Sequence, residues 1–295
     1  MEGIVSHRHS CAGVAVILAA LFAAPALATP PGRNGMIVWQ RESDGPPRLW
    51  VANPDGSGAR QVFRGSSRQA EFEGTFSTTD PNVVFFSRGV YPFRPFREDI
   101  YRGDLATGAV TRVHGARTAD IAPTVSPDGT WLAYFAVTRA RLAEDAPPPP
   151  QRIRVANVDG TADRAVTPRR GLALDPDWSP DGTRIAYTEV RVAGDRADNR
   201  LMIVNADGSG RRALTQYGGR NEINPKWTPD GQTIVFEHLR EAGRRSSIMA
   251  MPSAGGSPRL VYDSPGWDTN PIPSPDGTRI LFTSDRHRRA RERIN

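Results

Sequence analysis

The sequence predicts an all-β protein assembled from one repeated unit, and two local signals carry this prediction. The first is the turn signature Ser-Pro-Asp-Gly, in which proline fixes φ, aspartate can bond its own backbone and glycine accepts the positive φ that closes a tight turn. It stands intact at 126–129, 179–182 and 274–277, and as Thr-Pro-Asp-Gly at 228–231. The second is a short apolar run of strand type that follows each turn, at 132–135, 185–188, 234–237 and 280–283.

The apolar runs recur at a nearly constant interval along the chain. They begin at Met36, Val83, Leu132, Ile185, Ile234 and Ile280, so the intervals are 47, 49, 53, 49 and 46 residues. Between them, a second pair of short runs recurs around an Asp-Gly or Gly-Gly corner, which is a hairpin signal. A period of about 50 residues made of four short strands is typical of a β-propeller blade.

We therefore predict a β-propeller of six blades, each with four antiparallel strands. The strands are labelled A to D from the central channel outward: A ends in the Pro-Asp-Gly corner, B is the apolar run, and C and D form the second hairpin. The sequence holds six B strands but only five C–D hairpins. The last blade is therefore expected to be incomplete. Three accounts of this end are possible: a naturally two-stranded last blade, a gene cut short, or a ring of five blades closed by the last A strand beside Met36 to Trp39, and we favour six blades with an incomplete last one.

The first 28 residues have the composition of a secretory signal peptide. A polar stretch at 1–10 precedes an apolar run at 11–27 that ends in Ala26-Leu27-Ala28, which predicts cleavage after Ala28. The alternative is an uncleaved membrane anchor, because the apolar run is almost long enough to span a bilayer. We expect a single propeller domain at 29–295, periplasmic or secreted, without stable membrane insertion. Cleavage would remove Cys11, the only cysteine, so no disulfide is expected.

The positive net charge does not indicate a nucleic-acid partner. The net charge of +6 comes almost wholly from arginine, with Lys226 the sole lysine, and 32 acidic residues offset it. These arginines are scattered through the loops, whereas a nucleic-acid footprint requires a clustered basic patch. We expect a solvated surface and a monomer that binds no nucleic acid.

The repeat resembles the WD40-like (PD40) repeat of the TolB family. The shared pattern is Asn-Pro-x-Trp-Ser-Pro-Asp-Gly-x-x-Ile-x-Phe, then a strand, an Asp-Gly corner and another strand, and it covers about residues 33 to 290. The resemblance implies a six-bladed propeller and, by analogy with TolB of the Tol-Pal system, a periplasmic protein with a protein partner. The α/β domain that precedes the propeller in TolB is expected to be absent. The same repeat precedes prolyl oligopeptidase-type hydrolase domains, but the sequence has no Gly-x-Ser-x-Gly nucleophile elbow.

The sequence offers no catalytic constellation. After the predicted cleavage, three histidines remain, His114, His238 and His287, at non-equivalent places in their repeats, so no metal-binding cluster is predicted. The aspartates of the Pro-Asp-Gly corners recur with the turn, which is typical of a structural role. A ring of them could hold Ca²⁺, but no spacing fixes that geometry, and no cofactor is predicted. We expect no enzymatic activity.

Residues that break the repeat are the candidates for a binding site, because residues that follow it have turn or packing roles. We expect them on loops at the channel mouth: Glu71, Asp120, Asp175, Glu222 and Asp268 before strand A, and Arg88, Arg139, Glu189, His238 and Arg286 after strand B. Acids on one set of loops and bases on the other would suit a peptide with both charges, although ordinary solvated loop charges would give the same pattern.

The sequence thus predicts an exported, non-catalytic propeller that binds a protein or peptide partner, in an envelope assembly like the Tol-Pal system. The alternative is a metal-dependent propeller enzyme or a carbohydrate-binding protein with a site in the central channel. Oligogalacturonate lyases share related repeats, but a matching set of metal-binding histidines is not evident here.

Overall fold

The computed structural model describes residues 14–18, 35–41, 45–92, 97–115, 118–138, 149–169, 171–193, 196–218, 221–240 and 245–285, and all regular elements in these ranges are β-strands. They are β1 (Val14–Leu18), β2 (Ile37–Arg41), β3 (Arg48–Ala52), β4 (Arg60–Gln61), β5 (Gln69–Phe76), β6 (Val83–Val90), β7 (Asp99–Asp104), β8 (Val110–His114), β9 (Thr118–Val125), β10 (Trp131–Thr138), β11 (Gln151–Asn157), β12 (Arg164–Ala165), β13 (Leu172–Trp178), β14 (Arg184–Ala193), β15 (Arg196–Asn205), β16 (Arg212–Ala213), β17 (Glu222–Trp227), β18 (Thr233–Arg240), β19 (Arg245–Pro252), β20 (Arg259–Asp263), β21 (Asp268–Pro273) and β22 (Arg279–Ser284). These ranges contain no helix with the length and hydropathy that a membrane span requires.

The second to fifth repeats form the predicted four-stranded blades. Blade 2 is the antiparallel sheet β5-β6-β7-β8, and blade 5 is β17-β18-β19-β20. Blade 3 (β9 to β12) and blade 4 (β13 to β16) are joined into one larger sheet by a single parallel pairing of Gln151 with Leu172. The A-B-C-D order read from the turns is therefore confirmed in these four blades.

The first and last repeats each have three strands among the described residues. Blade 1 is β2-β3-β4, and blade 6 consists of β21, β22 and β1, with Val14 opposite Thr283 and Leu18 opposite Arg279. β1 lies inside the predicted signal peptide and takes the C position of the last blade in this structure. Ala28 lies outside the described residues, so cleavage there stays a prediction, as does the number of blades in the ring.

The A strands pack side by side and form the wall of the central channel. β5 packs against β9, β9 against β13, β13 against β17, and β17 against β21. The core fills the wedges between blades. Trp178 packs with side chains of blades 3 and 4, and Trp227 with side chains of blades 4 and 5. Both indoles are buried, which confirms that aromatic rings fill these wedges.

The Pro-Asp-Gly corners close as the turn chemistry requires. In blade 3, the Gly129 amide donates to the Ser126 carbonyl at 2.9 Å, with Gly129 at φ 75°. The Ser126 hydroxyl accepts from the Trp131 amide at 2.9 Å. This hydroxyl also donates to Asp128, and that hydrogen bond lowers the pKa of the Asp128 carboxyl. The Asp128 carboxylate therefore accepts its hydrogen bonds from residues of its own turn.

Each A strand of blades 2 to 6 contains a β-bulge, where the ladder shifts register and one residue takes a left-handed conformation. These residues, which we call the bulge ring, are Glu73 (φ 52°), Ala122 (φ 54°), Asp175 (φ 52°), Asn224 (φ 55°) and Asn270 (φ 54°). Asparagine and aspartate tolerate this region well, whereas other side chains with a Cβ are disfavoured there. The bulge turns backbone amides toward the preceding blade: the Asn224 amide donates to the Thr188 hydroxyl at 3.0 Å.

Replacing Ala122 with glycine is expected to stabilise the propeller. Glycine removes the Cβ strain of the left-handed conformation, so the free energy of unfolding should rise by about 1 kcal/mol. The matched control is Ala119→Gly in the same strand, which should lower it by about 0.5–1 kcal/mol or more, because glycine weakens a strand interior. Urea unfolding at equal m-value measures both changes. A loss of stability in Ala122→Gly equal to that of Ala119→Gly would contradict the strain argument.

Candidate functional site

Four of the predicted acids lie within strands and are buried, not on channel-mouth loops. Glu71, Asp120, Glu222 and Asp268 take equivalent positions in β5, β9, β17 and β21, with at most 1 % of each residue exposed. The A strands of blades 3 to 6 begin two to four residues before the X-Pro pair at which the sequence places their start, because the bulge interrupts the alternation at that pair. The predicted loop placement of these acids is wrong for this reason.

Glu71 and Asp120 join neighbouring elements inside the fold. Arg88 Nη2 lies 2.7 Å from Glu71 Oε1, and the Leu49 amide donates to Glu71 Oε2 at 3.2 Å. This carboxylate therefore connects blade 2 to the C strand of blade 1. Asp120 contacts His114 Nδ1 at 2.8 Å across the boundary between blades 2 and 3.

Glu222 and Asp268 also belong to the interior. Glu222 lies opposite His238 in the β17–β18 ladder. It also lines a surface pocket of about 300 Å³ beside Tyr217 and Pro258. Burial raises the pKa of the Asp268 carboxyl above its ordinary value, while hydrogen bonds from Ser284 and Ser264 oppose the rise.

Glu189 lies in a polar cluster of blade 4 that shares Tyr217 with the pocket beside Glu222. Its carboxylate accepts from Arg200 at 2.6 Å, Arg211 at 2.7 Å and the Tyr217 hydroxyl at 2.9 Å. Partial burial acts to raise the pKa of Glu189, and the hydrogen bonds from Arg200 and Tyr217 bring it below its ordinary value. The predicted residues Arg139 and Arg286 lie outside the described residues.

Asp175 is the predicted residue that lies in the bulge ring. Burial raises the pKa of its carboxyl, and the Lys226 ammonium opposes this rise. Its charge in turn raises the pKa of Glu73 in blade 2 and of Glu237 in blade 5. Carboxyl groups from three blades are thus close enough in the channel to influence one another.

Glu73 and Glu237 are the channel residues that sequence reasoning missed. Glu73 is exposed to the channel, yet the surrounding protein raises the pKa of its carboxyl to about 7, with a further contribution from Asp175. Burial raises the pKa of Glu237 to about 7 as well. Glu73 occupies the position that precedes proline in the other A strands, but blade 2 has Gly74 in place of that proline and has lost its Ser-Pro-Asp-Gly, so the repeat pattern did not mark it.

Hydrogen bonds fix these carboxyl groups across blade boundaries. The Ala122 amide donates to Glu73 Oε2 at 2.9 Å, and the Asn270 amide donates to Glu237 Oε1 at 2.6 Å. Asn224 Nδ2 lies 3.0 Å from Glu237 Oε1 and 2.8 Å from Asn270 Oδ1. Because the Ala122 and Asn270 amides belong to the A strand of the next blade, the geometry of the channel wall depends on the packing of whole blades.

A further carboxylate, Asp177, and the Lys226 ammonium group lie beside Asp175. Lys226 Nζ lies 3.6 Å from Asp177 Oδ1, and the Trp227 amide donates to Asp177 Oδ2 at 2.8 Å. We call Glu73, Asp175, Asp177, Lys226 and Glu237 the channel cluster. It balances one ammonium group against several carboxyl groups, so it becomes strongly negative when Glu73 and Glu237 ionise. Within the described ranges, no group of three or more His, Cys, Asp or Glu side chains is arranged to hold a metal ion.

Residues 137–291, more than half of the chain, match the family model of the TolB beta propeller domain. The Tol-Pal system protein TolB of Bordetella pertussis is 42% identical over 135 residues, which are 45% of this chain and 29% of that protein. A protein TolB homolog of Chlorobaculum tepidum is 30% identical over 142 residues, 48% of this chain and 30% of the relative. The chain thus aligns with about a third of the length of these curated relatives.

Solved structures share the fold at low identity. TolB from Acinetobacter baumannii has a TM-score of 0.62 at 18% identity, covering 85% of this chain and 63% of that one. A putative TolB from Agrobacterium tumefaciens has a TM-score of 0.62 at 19% identity, covering 87% and 91%. An oligogalacturonate lyase in complex with manganese has a TM-score of 0.59 at 19% identity, covering 82% and 66%. The sheet architecture and the matched repeats agree, and the chain belongs to the TolB beta propeller domain family.

Proposed function

We propose that this chain is an exported, non-catalytic propeller that binds a protein or peptide partner at its channel, as a component of an envelope assembly. The observation that carries the proposal is the bulge ring. Its backbone conformation repeats from blade to blade, while its side chains are Glu73, Ala122, Asp175, Asn224 and Asn270. A rigid scaffold that holds varied polar groups around one opening is suited to recognition.

The charge of the channel cluster indicates what such a partner would present. Asp175 and Asp177 face one ammonium group, Lys226, and two further carboxyl groups have pKa values of about 7. A partner segment with a lysine, an arginine or a free amine would be attracted to this wall. The relatives named Tol-Pal system protein TolB support an envelope assembly as the setting.

The pH dependence of binding follows from the raised pKa values of Glu73 and Glu237. Below about pH 7 these carboxyls hold protons and carry no charge. As pH rises through this value, the channel gains negative charge. A cationic segment is therefore expected to bind more tightly at about pH 8 than at about pH 6.

The test is affinity capture from an envelope extract with the purified full chain and two variants. Glu73→Gln combined with Asp175→Asn removes charge from the channel, and Asp55→Asn, at an exposed corner of blade 1, is the matched control. We expect one protein to be captured by the wild type and by Asp55→Asn but lost with the channel variant. Equal capture by all three would contradict the proposal. Specific turnover by the purified chain would favour the enzyme alternative instead.

A further inference from the structure

His114 stands where the corresponding strands of blades 3 and 4 carry threonine. It ends β8, the D strand of blade 2, and pairs with Ile100 of the C strand. The equivalent hydroxyls of Thr167 and Thr215 accept from C-strand amides at 3.0 Å and 2.9 Å. In blades 3 and 4 the side chain at this position therefore bonds the neighbouring strand of its own blade. His114 has no such hydroxyl and contacts the next blade instead.

The His114 ring instead lies between two carboxylates of the next blade. Nδ1 lies 2.8 Å from Asp120 Oδ2, and Nε2 lies 3.6 Å from Asp163 Oδ2. Asp120 is on β9 and fully buried, and Asp163 lies just before β12. The ring also packs against Tyr134 of β10, with centroids 5.2 Å apart. The imidazole thus spans the boundary between blades 2 and 3.

The other charged and polar groups around this ring leave one negative charge uncompensated. Arg154 of β11 donates twice to Asp163, at 2.8 Å and 2.6 Å, and the Tyr134 hydroxyl donates to it at 2.7 Å. Thr118 of β9 donates to Asp120 at 2.8 Å. From β7, Asp99 lies 3.5 Å from Arg112 of β8. The pair of carboxylates that touches His114 therefore has one guanidinium between them, and a protonated imidazole would supply the second cation.

We propose that His114 is a pH-sensitive latch between blades 2 and 3, closed while the imidazole carries both protons and weakened when Nε2 loses its proton. The neutral ring can still donate from Nδ1 to Asp120. Its Nε2 lone pair then faces the Asp163 carboxylate, which is repulsive. The hydrogen bond to Asp120 raises the pKa of His114 above its ordinary value, burial opposes the rise, and the charges of Asp120 and Asp163 add to it.

The sign of the pH effect follows from this raised pKa. Below the unfolded value of about 6.5, both states are protonated and the latch stabilises fully. Above it, the unfolded chain releases the proton first, so stability falls as pH rises through the folded value. In that window, the unfolding equilibrium constant should increase about tenfold per pH unit.

The test follows the His114 ring by NMR in the isotopically labelled full chain and compares the pH dependence of unfolding in three proteins. His114→Thr restores the residue that blades 3 and 4 use, and His238→Gln is the control. We expect His114 to titrate above its ordinary pKa, and the wild type and His238→Gln to lose stability between about pH 6.5 and pH 8.5 relative to His114→Thr.

After correction for the intrinsic rise of exchange rate with pH, amide protection at β8 and β9 should fall over the same range in the wild type and in His238→Gln, but not in His114→Thr. A purely structural histidine would make His114→Thr differ by a constant amount at every pH. That outcome, or a His114 ring that titrates at or below its ordinary pKa, would overturn the proposal. The NMR titration uses the wild type, so the test stands even if the variant folds poorly.

Discussion

The Glu71→Gln variant is expected to lose about 3–5 kcal/mol of unfolding free energy, because it leaves a buried arginine without its counter-charge. Glu71 is fully buried, and Arg88, 9 % exposed at its side chain, donates to it at 2.7 Å. The same carboxylate accepts from the Leu49 amide and lies 3.8 Å from Arg48. One substitution therefore weakens both the blade 2 ladder and its contact with blade 1.

The neighbouring Glu73→Gln variant is the matched control for this prediction. Glu73 lies two residues further along the same strand, is exposed to the channel and has a pKa of about 7. Neutralising it should leave the free energy of unfolding unchanged or raise it at neutral pH, because a raised pKa means that folding disfavours the ionised carboxyl. Combining Glu71→Leu with Arg88→Met should recover part of the loss, because removing both partners leaves no isolated buried charge. Equal stability of Glu71→Gln and Glu73→Gln in urea unfolding would contradict this account.

The fold could be predicted from the sequence because its signals are local. Pro-Asp-Gly corners and Asp-Gly hairpins depend only on residues that are neighbours in sequence. They therefore favour the same turn in a short segment as in the folded propeller. The placement of Trp178 and Trp227 between blades followed from their size and their position after the X-Pro pair. The third strand of blade 6 could not be predicted this way. β1 pairs with β22 across almost the whole length of the chain, and no local signal specifies such a partner.

The candidate site was less predictable, because its members meet only when whole blades pack. Asp175 was selected as a residue that breaks the repeat, and it does lie in the bulge ring. Glu71 was selected by the same criterion, yet it is buried. It lies two residues before Glu73, the bulge residue of the same strand. Since a bulge shifts the alternation of side chains, sequence spacing alone cannot tell a channel carboxyl from a buried one.

Replacing Gly160 with alanine should cost more than the same change at equivalent glycines, because its Cβ would overlap backbone of the preceding blade. Gly160 closes the C–D corner of blade 3 at φ 87°, and an added Cβ would overlap the Val113 carbonyl oxygen. Gly56 closes the same corner in blade 1 at φ 84°, with no atom within 4 Å of that position. Both variants bear the left-handed strain of about 1–2 kcal/mol. Gly160→Ala should lose about 1–3 kcal/mol more, because a packed interface must shift.

Gly208 provides an intermediate case that makes this prediction quantitative. It closes the corner of blade 4 at φ 92°, and its added Cβ would lie 3.4 Å from the Val166 backbone of blade 3. Because backbone strain is nearly the same in the three glycines, differences in unfolding free energy report how closely each corner packs on the previous blade. Thermal and urea unfolding should rank the losses Gly160→Ala, then Gly208→Ala, then Gly56→Ala. If the three losses are equal, the C–D corners do not pack closely against the preceding blade. Contacts between blades would then come from their cores and A strands alone.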